Sequence, residues 1–157
     1  MIKLFSILLV SVNLFASAPI NKLDFYSAFK SDEKAVLDKE IARLNKLEWS
    51  TLKDAYLGVL IMKNSQFQAT PGAKLRAFKE GKELLEKAIA KEPKNGEFRF
   101  LRLAIQEKSP KLLKYDSNME EDKKILLGTY SSLDFTVKKV IKGYAEKSTV
   151  ISPKEFK

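Results

Sequence analysis

The chain contains 157 residues, of which 45% are hydrophobic and 31% are charged, and its formal net charge is +9. This length and apolar content allow a single domain with a buried core. Cysteine and histidine are both absent, which excludes disulfide bonds, a thiol nucleophile, a histidine base and a cysteine or histidine metal site. We therefore expect a non-catalytic protein without cofactor or metal, and rank a hydrolase that uses only carboxylates as a remote third alternative.

The positive charge comes mainly from lysine, since only four of the 29 basic residues are arginines. One interpretation is a solvated, lysine-coated helical surface. The other is attraction to an anionic partner, such as the surface material of a cell envelope. Acidic residues are interspersed throughout, and we expect no specific nucleic-acid partner. The sequence contains no glycine-rich loop, so nucleotide binding has no support either.

Residues 1–18 have the pattern of a secretory signal peptide. Lys3 precedes an apolar stretch from Leu4 to Phe15, and small residues follow at 16–18. The apolar stretch is short for a bilayer-spanning helix. We expect export to the periplasm or the cell exterior, a single mature domain over 19–157, and no transmembrane span once the signal peptide is removed.

Four helices are predicted before residue 92. Asn21 is expected to cap a short first helix, and Ser31 a second over about 32–47. Ser50 and Thr51 are expected to begin the third helix, and Thr51 and Asp54 have the spacing of a capping box. Thr70, followed by proline at the first helical position, begins the fourth, which runs to about residue 91.

Two glycines lie within these helices, at Gly58 and Gly81. A glycine inside a helix costs about 1 kcal/mol relative to alanine, so a close approach of another helix is the natural reason to keep one. We therefore predict that the third and fourth helices cross near Gly58 and Gly81.

The second half of the chain continues the helical pattern. Pro93 and Asn95 form a turn, and Glu97 opens a helix antiparallel to the one before it. Ser131 and Asp134 have the spacing of another capping box. Further helical segments are expected over about 110–114, 118–131 and from 134 onward, with a last turn from 152. No segment shows the period-two alternation of a strand, and the predicted fold class is all-α, built of antiparallel helical hairpins.

The segment 54–105 resembles tetratricopeptide repeats. An aromatic-Leu-Gly run at 56–58 lies in a first helix; Gly81, Leu85 and Ala88 follow in the second, and Pro93 closes the hairpin. The spacing between Gly58 and Gly81 exceeds that of the repeat by about eleven residues, and the usual first-helix tryptophan is missing. The resemblance implies a tetratricopeptide-like helical array with its hairpin core over about 50–107. The whole chain is also similar to uncharacterised small exported helical proteins.

Five residues are candidates for binding a partner. Arg99, Arg102 and Gln106 share one stripe of an otherwise apolar helix, and an arginine offers a planar fork that fits a carboxylate. One interpretation is capture of an acidic peptide on an open helical surface. The favoured alternative is internal pairing with Glu80, Glu83 or the acidic residues at 120–122.

Tyr56 and Phe100 complete the candidates, because first-helix aromatic residues line the peptide groove of tetratricopeptide arrays. Aromatic residues at helical spacing are more often part of the core. Taken together, the sequence predicts an exported helical interaction domain that binds a protein or peptide. Association of its basic surface with anionic envelope material is the alternative.

Overall fold

A computed structural model of the protein describes residues 19–156, and this part of the chain is all-helical, without a strand. The all-α prediction is confirmed. The predicted signal peptide, residues 1–18, lies outside the described residues. Among the helices of 19–156, none combines the length and the apolar character needed to cross a membrane. The α-helices are α1 (Lys22–Lys30), α2 (Lys34–Asn45), α3 (Thr51–Asn64), α4 (Pro71–Lys91), α5 (Gly96–Lys108), α6 (Met119–Thr129) and α7 (Phe135–Ala145). Short 3₁₀ turns occur at Ser65–Phe67, Lys111–Leu113, Tyr130–Ser132 and Pro153–Glu155.

Asn21 and Thr70 cap helices as predicted, and Asn95, which was predicted only as part of a turn, caps α5. The side chain of Asn21 accepts from the amide of Leu23, and that of Asn95 accepts from the amides of the first turn of α5. Thr70 caps α4 ahead of a proline at the first helical position. Each of these side chains satisfies an amide that has no partner within its helix.

Three other caps were wrong. Ser31 accepts from the amide of Glu33 in a local turn, and α2 begins only at Lys34. Ser50, not Thr51, caps α3 by accepting from the amide of Lys53. Asp134 is itself the cap of α7, accepting from an amide in the first turn rather than completing a box with a serine. Where several capping residues adjoin, the spacing alone does not decide which one takes the extended backbone.

The predicted crossing of α3 and α4 is confirmed at atomic scale. A Cβ added to Gly58 would lie 2.5 Å from the carbonyl oxygen of Gly81 and 2.8 Å from the amide nitrogen of Leu85. A Cβ on Gly81 would collide with the carbonyl oxygen of Gly58 and lie 2.8 Å from the amide nitrogen of Met62. The obstacles are backbone atoms, which a rotamer change cannot move. The glycines therefore set the distance between the two helices.

The central helix of the domain is α5. Every residue from Gly96 to Gln106 is buried, because α5 packs against α3, α4 and α6. Its contacts with α6 are antiparallel: the start of α5 lies beside Thr129 and its later turns lie beside Asp122 and Asn118. A helix enclosed in this way places even its polar side chains in the interior.

Helices α1 and α7 cover the aromatic residues of α3 and α5. Phe25 of α1 stacks on Tyr56 with ring centroids 3.5 Å apart. Tyr144 of α7 meets Phe100 edge-to-face at 5.5 Å. The aromatic side chains of the two inner helices thus belong to one core that the chain closes with its own first and last helices.

Candidate functional site

Arg99 and Arg102, the two candidate arginines, point into the interior. Their exposed fractions are 5% and 4%. Arg102 binds the carboxylate of Asp122 through two hydrogen bonds of 2.7 Å, and a further 2.7 Å bond reaches Glu86. Arg99 reaches the same carboxylate at 3.0 Å, Glu121 at 3.2 Å and the carbonyl oxygen of Pro93 at 2.7 Å.

Asp122 is the centre of this cluster, because it is completely buried and receives both arginines. Burial disfavours the charged guanidinium, but the contacts with Asp122 and Glu86 outweigh it and raise the pKa of Arg102. The cluster links α4, α5 and α6. The two arginines therefore pair internally with acidic residues of α6, as the favoured interpretation predicted for residues 120–122.

The acidic partner on α4 differs from the prediction. It is Glu86, whereas Glu83 forms an exposed ion pair with Lys87 on the outer face of the same helix. Glu86 also accepts a 2.6 Å hydrogen bond from Tyr115, which brings the loop before α6 against α4. Sequence spacing alone does not tell which carboxylate of α4 faces α5.

Gln106 is also interior, with an exposed fraction of 2%. Its amide nitrogen lies 3.4 Å from the side-chain oxygen of Asn118, and its own side-chain oxygen is buried without a partner among residues 19–156. It lines a small cavity of about 160 Å³ together with Tyr115 and Thr149. None of the other four candidates lines this cavity.

Tyr56 and Phe100 are both completely buried. The hydroxyl of Tyr56 donates to the Glu97 carboxylate at 2.5 Å, and Phe100 packs beneath Tyr144. The groove surface implied by the resemblance is therefore covered by the chain's own α1 and α7. The structure places all five candidate residues in the interior. The large apolar side chains that are exposed lie near the ends of helices instead.

Glu97 is a polar centre that sequence reasoning missed. It is 5% exposed and accepts from the hydroxyls of Tyr26 and Tyr56 and from Lys22. Lys22 also contacts Asp134 at 2.5 Å, so one cluster joins α1, α3, α5 and the start of α7. A glutamate in the first turn of a helix is favoured by the helix dipole whether or not it is buried. The position of Glu97 in the sequence therefore does not indicate a buried carboxylate.

The charges of this cluster are fixed by its geometry. Burial disfavours the charged form of Lys22, but its contacts with Asp134 and Glu97 outweigh burial and raise its pKa. Burial and the nearby Glu97 charge raise the pKa of both Tyr26 and Tyr56. The two tyrosine hydroxyls therefore stay neutral and donate hydrogen bonds. Through these bonds and the Lys22 contacts, the cluster holds α1, α3 and α5 together. Within 19–156, the Asp and Glu side chains form no group of three or more suited to holding a metal ion.

An open cavity lies near the Glu97 cluster, between the turn that precedes α5 and the segment that follows α6. Its volume is about 470 Å³, and Pro93 and Leu133 contribute to a lining that is mainly apolar. The two segments meet closely because Gly96 has no side chain; a Cβ there would collide with Thr129. The cavity is lined by residues 92–96 together with Thr129, Ser132 and Leu133.

Three exposed apolar side chains belong to segments that adjoin this cavity. Phe135, at the start of α7, is 81% exposed, Leu23 is 67% exposed and Trp49 is 62% exposed. The Lys22–Asp134 contact joins the chain neighbours of Leu23 and Phe135. Trp49 lies under the ammonium group of Lys91, 4.0 Å from the ring centroid, directly before the cavity-lining turn. We call this cavity with Leu23, Trp49 and Phe135 the apolar end.

No protein-family model, no curated protein and no solved structure matches the chain.

Proposed function

We propose that this protein is an exported, non-catalytic helical domain that binds a protein or peptide at its apolar end. The observation that carries the proposal is the open, mainly apolar cavity of about 470 Å³ at that end. Phe135, Leu23 and Trp49 are exposed on segments that adjoin it. Exposed apolar side chains that lie together, rather than singly, mark interaction surfaces.

The chemistry of the apolar end favours a partner segment that presents an apolar side chain. Such a side chain would enter the cavity against Pro93 and Leu133. Phe135 and Trp49 would supply contact area around it, since aromatic residues dominate the energy of many interfaces. Trp49 is already oriented, because its indole nitrogen donates to Asp54 at 2.8 Å and Lys91 covers its ring. Little conformational freedom would be lost when the partner binds.

The tetratricopeptide-like interpretation supports an interaction role, but the binding site would differ from the groove that such repeats use. Two antiparallel pairs, α3 with α4 and α5 with α6, follow one another, and α3 contacts α5 as successive first helices of an array would. In such an array the first helices line the peptide groove. Here Phe25 and Tyr144 fill the corresponding surface. A partner would therefore use the apolar end.

Retention of a binding partner tests this proposal. The protein purified after expression of the full chain is immobilised and exposed to envelope extract, with washes at low and high salt. One variant carries Leu23→Ser and Phe135→Ser, both at exposed positions. The control variant carries Ala35→Ser and Ala42→Ser on the exposed side of α2. Circular dichroism verifies that both variants fold.

We expect one defined protein to be retained at high salt by the parent and by the α2 control. The apolar-end variant should retain at least about tenfold less, since truncating a central interface residue costs more than about 1 kcal/mol. Equal retention by the folded apolar-end variant would contradict the proposed site. Retention that disappears from every form at high salt would contradict a specific protein interaction.

A further inference from the structure

A strongly basic surface lies away from the apolar end, where α4 begins and α5 ends. Two nine-residue stretches, 74–82 and 108–116, carry seven basic residues and only two acidic ones, Glu80 and Asp116. Tyr115 joins the stretches, because its ring packs edge-to-face on Phe78 at 5.8 Å and lies 4.7 Å from the ammonium group of Lys82. The two stretches therefore lie side by side, and their basic residues belong to one part of the surface, the patch.

Among the described residues, the lysines of this patch have no acidic partner. Five other lysines pair with carboxylates, for example Lys22 with Glu97 and Lys123 with Glu155, whereas further exposed lysines such as Lys142 do not. Within 19–156, no carboxylate lies within ion-pair distance of any lysine in the two stretches. The lysines concerned are Lys74, Lys79, Lys82, Lys108, Lys111 and Lys114. Their field is available to an anionic partner instead of being neutralised internally.

Leu112 projects from the middle of the patch. It is 91% exposed, the most exposed large apolar side chain among the described residues. The 3₁₀ turn Lys111–Leu113 holds it there, closed by the bond from the amide of Lys114 to the carbonyl oxygen of Lys111 and by a left-handed Lys114 with φ of 48°. Leu75, on the α4 side of the patch, is 42% exposed. The patch therefore combines unpaired lysines with a leucine that projects from its middle.

We propose that this patch, the basic end, docks on an anionic lipid bilayer. The lysines would contact the phosphates of the headgroups, and Leu112 would enter the boundary between headgroups and acyl chains. A hydrated acidic polymer would satisfy the lysines equally well but would offer no apolar phase for Leu112. Charge and exposed leucine together thus favour the bilayer. This inference goes beyond the proposed function, since it concerns a separate surface and a different partner.

Vesicle co-sedimentation tests the charge contribution. The probes are vesicles of phosphatidylglycerol with phosphatidylcholine, and vesicles of phosphatidylcholine alone. The basic-end variant is Lys79→Glu with Lys111→Glu, and the control is Lys139→Glu with Lys142→Glu on the exposed side of α7. The two variants have the same net charge, and all proteins are expressed as the full chain, with their N-termini verified by mass spectrometry.

We expect the parent and the α7 control to bind anionic vesicles at low salt, with weaker binding as salt rises. The basic-end variant should bind at least about 30-fold more weakly, because each lysine near an anionic bilayer contributes about fivefold to the binding constant and each new glutamate is repelled by the bilayer. Equal losses in the two variants would show that only net charge matters and would overturn the proposal. Failure of the parent to bind anionic vesicles would also overturn it.

A fluorescent label at position 112 tests whether Leu112 inserts into the bilayer, and it distinguishes lipid binding from binding of an acidic polymer. Since the chain has no cysteine, Leu112→Cys and the control Lys142→Cys can each carry one polarity-sensitive dye. We expect anionic vesicles to shift the emission of the dye at 112 towards the blue and to leave the dye at 142 unchanged. The proposal is overturned if dextran sulfate shifts the dye at 112 as vesicles do, or if vesicles bind without shifting it.

Discussion

Substituting alanine for Gly58 gives a direct test of the α3–α4 crossing. The new Cβ would lie 2.5 Å from the carbonyl oxygen of Gly81 and 2.8 Å from the amide nitrogen of Leu85. Ordinary carbon contacts are about 3.5–4.0 Å, so the two helices would have to separate by roughly 1 Å. The surrounding α3–α4 interface includes the buried Leu85 and Ala88, and its packing would be lost in part.

The expected free-energy change combines two opposing effects. Overpacking in a core costs about 1–3 kcal/mol, and the upper part of that range applies because backbone atoms form the obstacle. Alanine gains about 1 kcal/mol over glycine through helix propensity. The net destabilisation should therefore be about 2 kcal/mol, which corresponds to a fall in Tm of roughly 4–8 °C for a domain of this size.

The chain provides a matched control at Gly143, which also lies within a helix but has no atom within 4 Å of an added Cβ. Gly143→Ala should stabilise the domain by up to about 1 kcal/mol. Urea unfolding followed by circular dichroism measures both variants. If Gly58→Ala proved as stable as Gly143→Ala, the reasoning about the crossing would be refuted.

Three further predictions concern the buried polar groups. Asp122→Ala should destabilise the domain by about 3–5 kcal/mol in urea unfolding, because it leaves two buried guanidinium groups without their shared carboxylate; removal of the exposed Glu83 should cost less than about 1 kcal/mol. Tyr56→Phe should cost about 1.5–3 kcal/mol, since it removes a buried donor to the charged Glu97; a loss below about 0.5 kcal/mol would contradict that hydrogen bond. Hydrogen bonds to the Glu107 carboxylate from Tyr144, Ser148 and Thr149 outweigh burial and lower its pKa. The stability this gives is complete above the unfolded-state pKa of about 4.3 and is lost as pH falls through the lower folded-state value. The difference in Tm between the parent and Glu107→Gln should therefore shrink on acidification, and a constant difference would contradict this assignment.

Local features of the fold could be predicted from the sequence because they depend on neighbouring residues. Proline and asparagine at 93 and 95 predicted the α4–α5 turn, and the caps at Asn21 and Thr70 follow from the need to satisfy the first amides of a helix. Gly58 and Gly81 indicated a close helix crossing because a glycine within a helix needs a reason. These inferences require no knowledge of which other segments lie nearby.

The arrangement of side chains between distant segments could not be predicted in the same way. The stripe of Arg99, Arg102 and Gln106 is correct as helical geometry, but whether it faces solvent depends on α4 and α6 enclosing α5. Glu97 likewise receives partners from α1 and α3, which are 71 and 41 residues away in sequence. The burial of the stripe and the partners of Glu97 both depend on packing between distant segments. The periodicity of one helix carries no information about that packing.

The apolar end could not be predicted for a related reason. Leu23, Trp49 and Phe135 come from three separate parts of the sequence, and each alone resembles an ordinary core residue. Only the folded arrangement leaves all three exposed and brings their segments next to one cavity. Exposed apolar residues that converge from distant segments have no local signature in a sequence.

Site-specific photo-cross-linking tests the central claim, partner binding at the apolar end, most directly. A photoreactive amino acid replaces Phe135 in one form of the full chain and Lys142, on the exposed outer side of the same helix, in another. Both forms are irradiated in envelope extract at high salt. The account predicts a single adduct of defined mass from position 135 and none from position 142. The absence of an adduct at 135, or equal adducts at both positions, would contradict it.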